Sequence, residues 1–164
     1  MVAAGKAFQE RKFPEAEQLY ANALQQAELF GPADPRLATN LNNLAELYVQ
    51  RGRFSEAEPL YERSIEIWEK ARGPEELSLA RVLGNLGELY RLTGRYSEAE
   101  PVLKRALQIR EGAYSPSDPR VAASVGQLGE LYRMEGRFPE SENLLNRALA
   151  MEEKASGPGS AAVA

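Results

Sequence analysis

The side chains best suited to chemistry in this sequence are arginines and glutamates set at helical spacing. Arg81, Arg91 and Arg133 each present a guanidinium fork that could hold a carboxylate of a partner. Glu88 and Arg91 stand three residues apart, as do Glu130 and Arg133. Arg91 and Arg133 therefore each have an alternative partner on their own helix, at about 0.2–0.5 kcal/mol per pair. The acids Glu56/Glu58 and Glu98/Glu100 could be read as paired carboxylates. Each pair opens a helix, however, where the helix dipole favours negative charge and capping accounts for both. The chain has no Cys and no His. That removes disulfides, thiolate zinc sites, Ser–His and Cys–His nucleophile pairs and the commonest general base. Gly94, in Thr93-Gly94-Arg95, reads as a turn residue and not as part of a phosphate loop. No catalytic residue, no cofactor and no metal is expected.

The elements that must position these residues repeat. Asn43-Leu44-Ala45-Glu46-Leu47-Tyr48 with Gly52-Arg53-Phe54-Ser55-Glu56-Ala57-Glu58 returns 42 residues later as Asn85-Leu86-Gly87-Glu88-Leu89-Tyr90 with Gly94-Arg95-Tyr96-Ser97-Glu98-Ala99-Glu100. It returns again as Leu128-Gly129-Glu130-Leu131-Tyr132 with Gly136-Arg137-Phe138-Pro139-Glu140. Residues 37–78 and 79–120 agree at 20 of 42 positions, so the period sets the fold. The spacing of apolar residues predicts helices over 13–30, 36–50, about 55–72, 77–92, about 97–113, 119–134 and 139–155. Gly52 and Gly94 should end first helices. Ser55 and Ser97 should cap second helices, with Glu58 and Glu100 reaching back. Pro59 and Pro101 are placed in or just past the first turn. Each helix carries one apolar stripe, so the pairs must stack to be stable. The expected units are a partial first repeat at 1–35, repeats at 36–76, 77–118 and 119–155, and a flexible tail at 156–164. The first unit reads as lacking the start of its first helix, as in a piece of a longer array.

The net charge of −4 and pI of about 5.1 argue against a nucleic-acid partner. No stretch approaches a membrane span, and residues 1–15 hold Lys6, Arg11 and Lys12 with no long apolar run. No secretory signal is read, and a cytoplasmic protein without membrane contact is expected.

The pattern Leu83, Leu86, Gly87, Tyr90, Ala99, Leu103, Ala106 resembles the tetratricopeptide repeat signature. Leu41, Leu44, Ala45, Tyr48, Ala57, Tyr61, Ser64 and Val125, Leu128, Gly129, Tyr132, Ser141, Leu145, Ala148 are its counterparts. The 42-residue period, with Leu41-Asn42-Asn43-Leu44-Ala45 and Ala57-Glu58-Pro59-Leu60-Tyr61, is similar to the kinesin-light-chain subclass of these repeats. The resemblance implies an all-α fold, a right-handed solenoid of antiparallel helix pairs. It also implies a non-enzymatic module that binds a protein or peptide segment in a concave groove lined by first helices.

A 3.6-residue wheel puts Leu83, Leu86, Gly87, Leu89 and Tyr90 on one side of the 77–92 helix. Arg81, Gly84, Glu88, Arg91 and Leu92 lie opposite. Given the fold the resemblance implies, the groove residues are Thr39, Asn42, Glu46 and Gln50 in one repeat. They are Arg81, Gly84, Glu88 and Arg91 in the next, and Gly126, Glu130 and Arg133 in the last. Asn42 could bond a peptide backbone, while Asn43 and Asn85 bridge neighbouring helices. Gly84 and Gly126 either let a ligand approach the backbone or relieve crowding. The Lys/Asn clamp for a C-terminal carboxylate is missing at Asn42/Glu46, Gly84/Glu88 and Gly126/Glu130. Leu144, Leu145 and Leu149 on the final helix have no polar cap after them, which leaves end-to-end self-association as an alternative role.

Overall fold

The computed structural model describes residues 2–73 and 76–156. Among these are eight helices and no strand: α1 (Val2–Gln9), α2 (Phe13–Glu28), α3 (Pro35–Gln50), α4 (Phe54–Arg72), α5 (Leu77–Leu92), α6 (Tyr96–Ala113), α7 (Pro119–Met134) and α8 (Phe138–Ser156). Pro74 of the expected repeat junction and residues 157–164 of the expected tail lie outside the described residues. The α1 helix has 8 residues where α3, α5 and α7 have 16.

Helices pack chiefly in sequential pairs, α3 on α4, α5 on α6 and α7 on α8. Successive pairs join through α2 with α3, α4 with α5 and α6 with α7. The first helices also touch each other, α3 with α5 and α5 with α7. The apolar stripes explain this order. Leu37, Leu41, Leu79, Leu83, Val121 and Val125 are buried in one continuous core that passes from pair to pair. No pair has enough apolar surface to close a core alone, so burial is shared along the stack.

The turn inside each of these three pairs is set by one glycine, while between α1 and α2 Arg11 takes that place at a φ of 58°. Gly52, Gly94 and Gly136 have φ of 71°, 75° and 76°, a left-handed backbone that favours glycine. Arg53 N–H donates to the Tyr48 carbonyl at 2.9 Å and Gly52 N–H to Val49 at 2.9 Å, a Schellman closure. Arg95 and Arg137 donate likewise to Tyr90 and Tyr132 at 2.8 and 2.9 Å.

Helix starts follow two different rules. Asp34 and Asp118 cap α3 and α7, accepting from the backbone N–H of Arg36 and Arg120 at 2.8 and 2.9 Å, with Pro35 and Pro119 as first helical residues. Glu76 does the same for α5 through Ser78 N–H at 3.2 Å.

The second helices correct the capping-box expectation. The residues at the caps are Arg53 and Arg95, neither with a side-chain cap bond, and Ser55 and Ser97 lie inside the exposed first turn. The Schellman closure commits the chain to helix one residue before each serine. The glutamates take other partners. Glu56 and Glu98 receive the Nε–H of Arg53 and Arg95 at 2.7 Å each. Glu58 and Glu100 reach across to the next repeat, to Arg95 at 2.7 Å and Arg137 at 3.3 Å. Glu17 is the matching acceptor for Arg53 at 2.8 Å. Each of these arginines also stacks on the tyrosine near the end of the helix before it, 4.0 Å from the ring centre at Tyr48, 4.3 Å at Tyr90 and 3.6 Å at Tyr132. Pro59 and Pro101 also stand further in than expected, at the sixth residue of α4 and α6. Each helix forgoes one hydrogen bond in its second turn, on an exposed side.

Candidate functional site

The face opposite the core stripes of α3, α5 and α7 is where the groove residues were expected. The structure divides them into three kinds. Asn42, expected to be open to a partner, is wholly buried. Its Nδ2 donates to Asn43 Oδ1 at 3.2 Å, and its Oδ1 accepts from Asn85 Nδ2 at 3.0 Å. An amide ladder therefore crosses from α3 to α5, because two side chains that can each donate and accept satisfy one another away from water. Gly84 is also buried. A Cβ there would stand 3.4 Å from Gln127 Oε1 and 3.6 Å from Arg110 Nη2, and Gln127 Nε2 donates to the Gly84 carbonyl at 3.5 Å. Gly84 makes room for side chains from α6 and α7, so a partner does not reach its backbone.

The second kind are self-paired. Arg91 donates to both oxygens of Glu88, at 2.8 and 2.6 Å, and this bonding holds the guanidinium charged more firmly than usual. Arg133 meets Glu130 at 2.9 and 3.0 Å. Thr39 is half-buried and spends its hydroxyl on the Pro35 carbonyl at 3.0 Å. The Glu46 carboxyl is pushed up by burial, with the Arg81 charge opposing it.

The third kind stay open. Gln50 and Arg81 are exposed, and a Cβ on Gly126 would have nothing within 4 Å. Among the described residues Arg81 hydrogen-bonds only to Asn43, at 3.4 Å, and has no carboxylate within ion-pair distance. It does meet two arginines that sequence reasoning missed. Arg81, Arg110 and Arg120, with Leu77, Ser78 and Tyr114, line a cavity of about 340 Å³ where α5 begins, α6 ends and α7 begins. Arg120 is held by Asp118 at 2.8 and 2.7 Å and lies 3.5 Å from the Tyr114 ring centre. Arg110 donates through Nη1 to the Ser124 hydroxyl, and burial pushes its pKa down.

A signal for Arg110 was present in the repeat. It stands where the preceding unit has Trp68, which is buried in the core. A charge at a position that packs elsewhere in the array marks a local departure from the structural rule. Among the described residues no cluster of three or more His, Cys, Asp or Glu could hold a metal, and no helix is long and apolar enough to cross a membrane.

A sequence model of the tetratricopeptide repeat matches residues 4–70, 37–112 and 78–154. Among solved structures, BtubC (BKLC) from P. vanneervenii superposes with a TM-score of 0.83 at 28% identity, over 96% of this chain and 63% of that one. This chain thus spans less than two thirds of that relative. A putative kinesin light chain of Podosopora anserina with nearly identical TPR-like repeats gives a TM-score of 0.74 at 24% identity, over 93% and 72% of the two chains. A second structure, of a variant of that protein, gives 0.77 at the same identity and coverage. No curated protein matches the sequence.

Proposed function

Because the chain belongs to the tetratricopeptide repeat family, whose repeats generally mediate protein–protein interaction, we propose that it binds an extended peptide segment of a partner along the face shared by α3, α5 and α7. The protein is in this reading a non-catalytic, cytoplasmic module without nucleic-acid or membrane ligands. The observation that carries it is Gly126. A mid-helix glycine forfeits about 1 kcal/mol relative to alanine. Here nothing of the protein fills the space its side chain would take. Gly87 and Gly129 are explained by the leucines against them, while a Cβ on Gly84 would make ordinary contacts with Gln127 and Arg110 and so close the space there. On the face of α3, α5 and α7 it is Gly126 that has room for something from outside; Gly5 and Gly112, on α1 and α6, are equally open but lie off that face.

The test is a random-peptide selection on the intact chain, followed by binding to Gly126→Trp. The indole adds bulk to the face without displacing any neighbour, so selected peptides should lose at least tenfold in affinity while thermal stability is unchanged. Equal binding to the variant would overturn the placement.

A second reading, end-to-end stacking of copies, is favoured by the outer side of α8. Leu149 is 45% exposed and Phe138 is 66% exposed. Sedimentation equilibrium from micromolar to millimolar concentration tests it, with a constant monomer mass counting against it.

A further inference from the structure

We propose that the cavity between Arg81, Arg110 and Arg120 is a site for a single oxyanion, the carboxylate or phosphate group of an acidic residue in a bound peptide. The cavity itself is read from the fold. Only the peptide as carrier of the anion rests on the reading above.

Arg110 is the residue least accounted for by the fold. A guanidinium is always protonated in a protein and carries five N–H donors in a planar fork. Withdrawing such a charge from water is unfavourable unless an opposite charge and hydrogen bonds replace the solvent. Arg110 is largely withdrawn, and its only hydrogen-bond partner among the described residues is the Ser124 hydroxyl. A hydroxyl accepts one of five donors and supplies no charge.

The neighbours add to the deficit. Arg120 faces the same space, and its proximity further disfavours the charged form of Arg110. Its Nε and Nη2 are taken by Asp118, the one carboxylate bonded to any of the three arginines among the described residues. Arg81 approaches from α5 with a 3.4 Å contact to Asn43 and no ion pair among the described residues. Three guanidinium groups thus have one hydrogen-bonded carboxylate among them, Asp118, around a space of about 340 Å³, with Glu46 near enough to Arg81 to feel its charge. That volume takes a phosphate or carboxylate together with several atoms of the residue that carries it. Ser78, also at the wall, already donates its hydroxyl to Glu76 Oε1 at 3.2 Å, so the guanidinium groups are the donors for the anion.

The other arginines of the chain show what arginines do here when the fold itself employs them. Arg53, Arg95 and Arg137 each meet two or more carboxylates. Arg105 and Arg147 each meet one, Glu69 and Glu111, in the preceding repeat. Arg81 and Arg110 are outside both patterns. The repeat also supplies a neutral counterpart for comparison. Two repeats earlier, in the register that aligns Glu17 with Glu58 and Glu100, the place of Arg110 is taken by Ala27, which with Phe30 and Arg36 lines a cavity of about 290 Å³. Arginine at 110 is therefore not required to close this junction of the stack.

The test is a titration of the full chain with inorganic phosphate, read on the arginine Nε–Hε signals by NMR. Saturable shifts at Arg81, Arg110 and Arg120 are expected, with Arg91, which is closed on Glu88, unmoved. Arg110→Gln, which keeps a polar side chain and removes the charge, should retain the wild-type helical content and melting temperature and lose at least tenfold in phosphate affinity. Small, non-saturating shifts at all arginines alike would be general ionic screening and would overturn the site. So would undiminished phosphate affinity in Arg110→Gln. Short peptides containing phosphoserine, glutamate or serine then separate the carriers. Displacement of phosphate by either acidic peptide and not by the serine peptide supports the proposal in full. Phosphate bound at Arg110 but displaced by none of the peptides leaves the oxyanion site standing and overturns the peptide as its source.

Discussion

A Cβ placed on Gly87 would stand 2.5 Å from both Cγ and Cδ2 of Leu103, which is itself buried. The α5 and α6 helices touch here with no room for a further side chain between them. At the same place in the preceding repeat the residues are Ala45 and Tyr61, so the array solves one contact with two combinations of volume.

Gly87→Ala should therefore destabilise the protein. Overpacking of about 1–3 kcal/mol outweighs the gain of about 1 kcal/mol in helix propensity. The clash involves Cγ, near the backbone, and cannot be relieved by turning a chain end. Gly129→Ala should cost less. Its Cβ would stand 2.9 Å from both Cγ and Cδ2 of Leu145, a milder overlap against a side chain that is only half-buried and has room to move. Urea denaturation midpoints of the two variants check the contrast, and equal losses would refute it.

Asn42→Ala should cost about 1–3 kcal/mol, since it strands the Asn85 amide that now donates to the buried Asn42 at 3.0 Å. Asn42→Asp retains the acceptor but buries a charge, and should be worse than alanine at pH 7. Thermal melts of both variants test the order.

Glu100 gives a pH signature. Lys104 at 2.7 Å, the Tyr132 hydroxyl at 2.7 Å and Arg137 at 3.3 Å hold its carboxyl down, from 4.5 to about 2. A carboxylate lowered in the folded state adds stability that is complete above its unfolded value and lost as pH falls through its folded one. Wild type should therefore exceed Glu100→Gln in stability at pH 7. The gap should close between about pH 4.5 and pH 2. Parallel denaturation curves at about pH 7, 4 and 2 measure it, and a gap that persists undiminished at the lowest pH would contradict the assignment.

Ser64→Ala should cost about 1 kcal/mol or less. The hydroxyl bonds the Ala38 carbonyl at 2.8 Å across α3 and α4, yet the following repeat has Ala106 at this place and packs it fully buried. A larger loss, read by urea denaturation, would mean that the bond does more than link two helices.

The repeat was legible in the chain because it is written in local terms. A 42-residue period, one glycine per turn and a leucine stripe every helical turn determine the helices, their pairing and the buried side of each. Helix starts were less legible. Ser55 and Glu58 fit a capping box on paper, but the box competes with a Schellman closure at Gly52 and with an arginine one repeat away. Only the stack brings Glu58 within 2.7 Å of Arg95. The polar face follows the same division. Sequence alone placed Arg81, Glu88, Arg91 and Gly126 on one side of their helices. It could not say that Arg91 is closed on Glu88, that Asn42 is sealed by Asn85, or that Arg110 rises from α6 to meet Arg81. Those outcomes depend on which side chains from different repeats arrive at the same point, and the spacing along one helix does not contain that information.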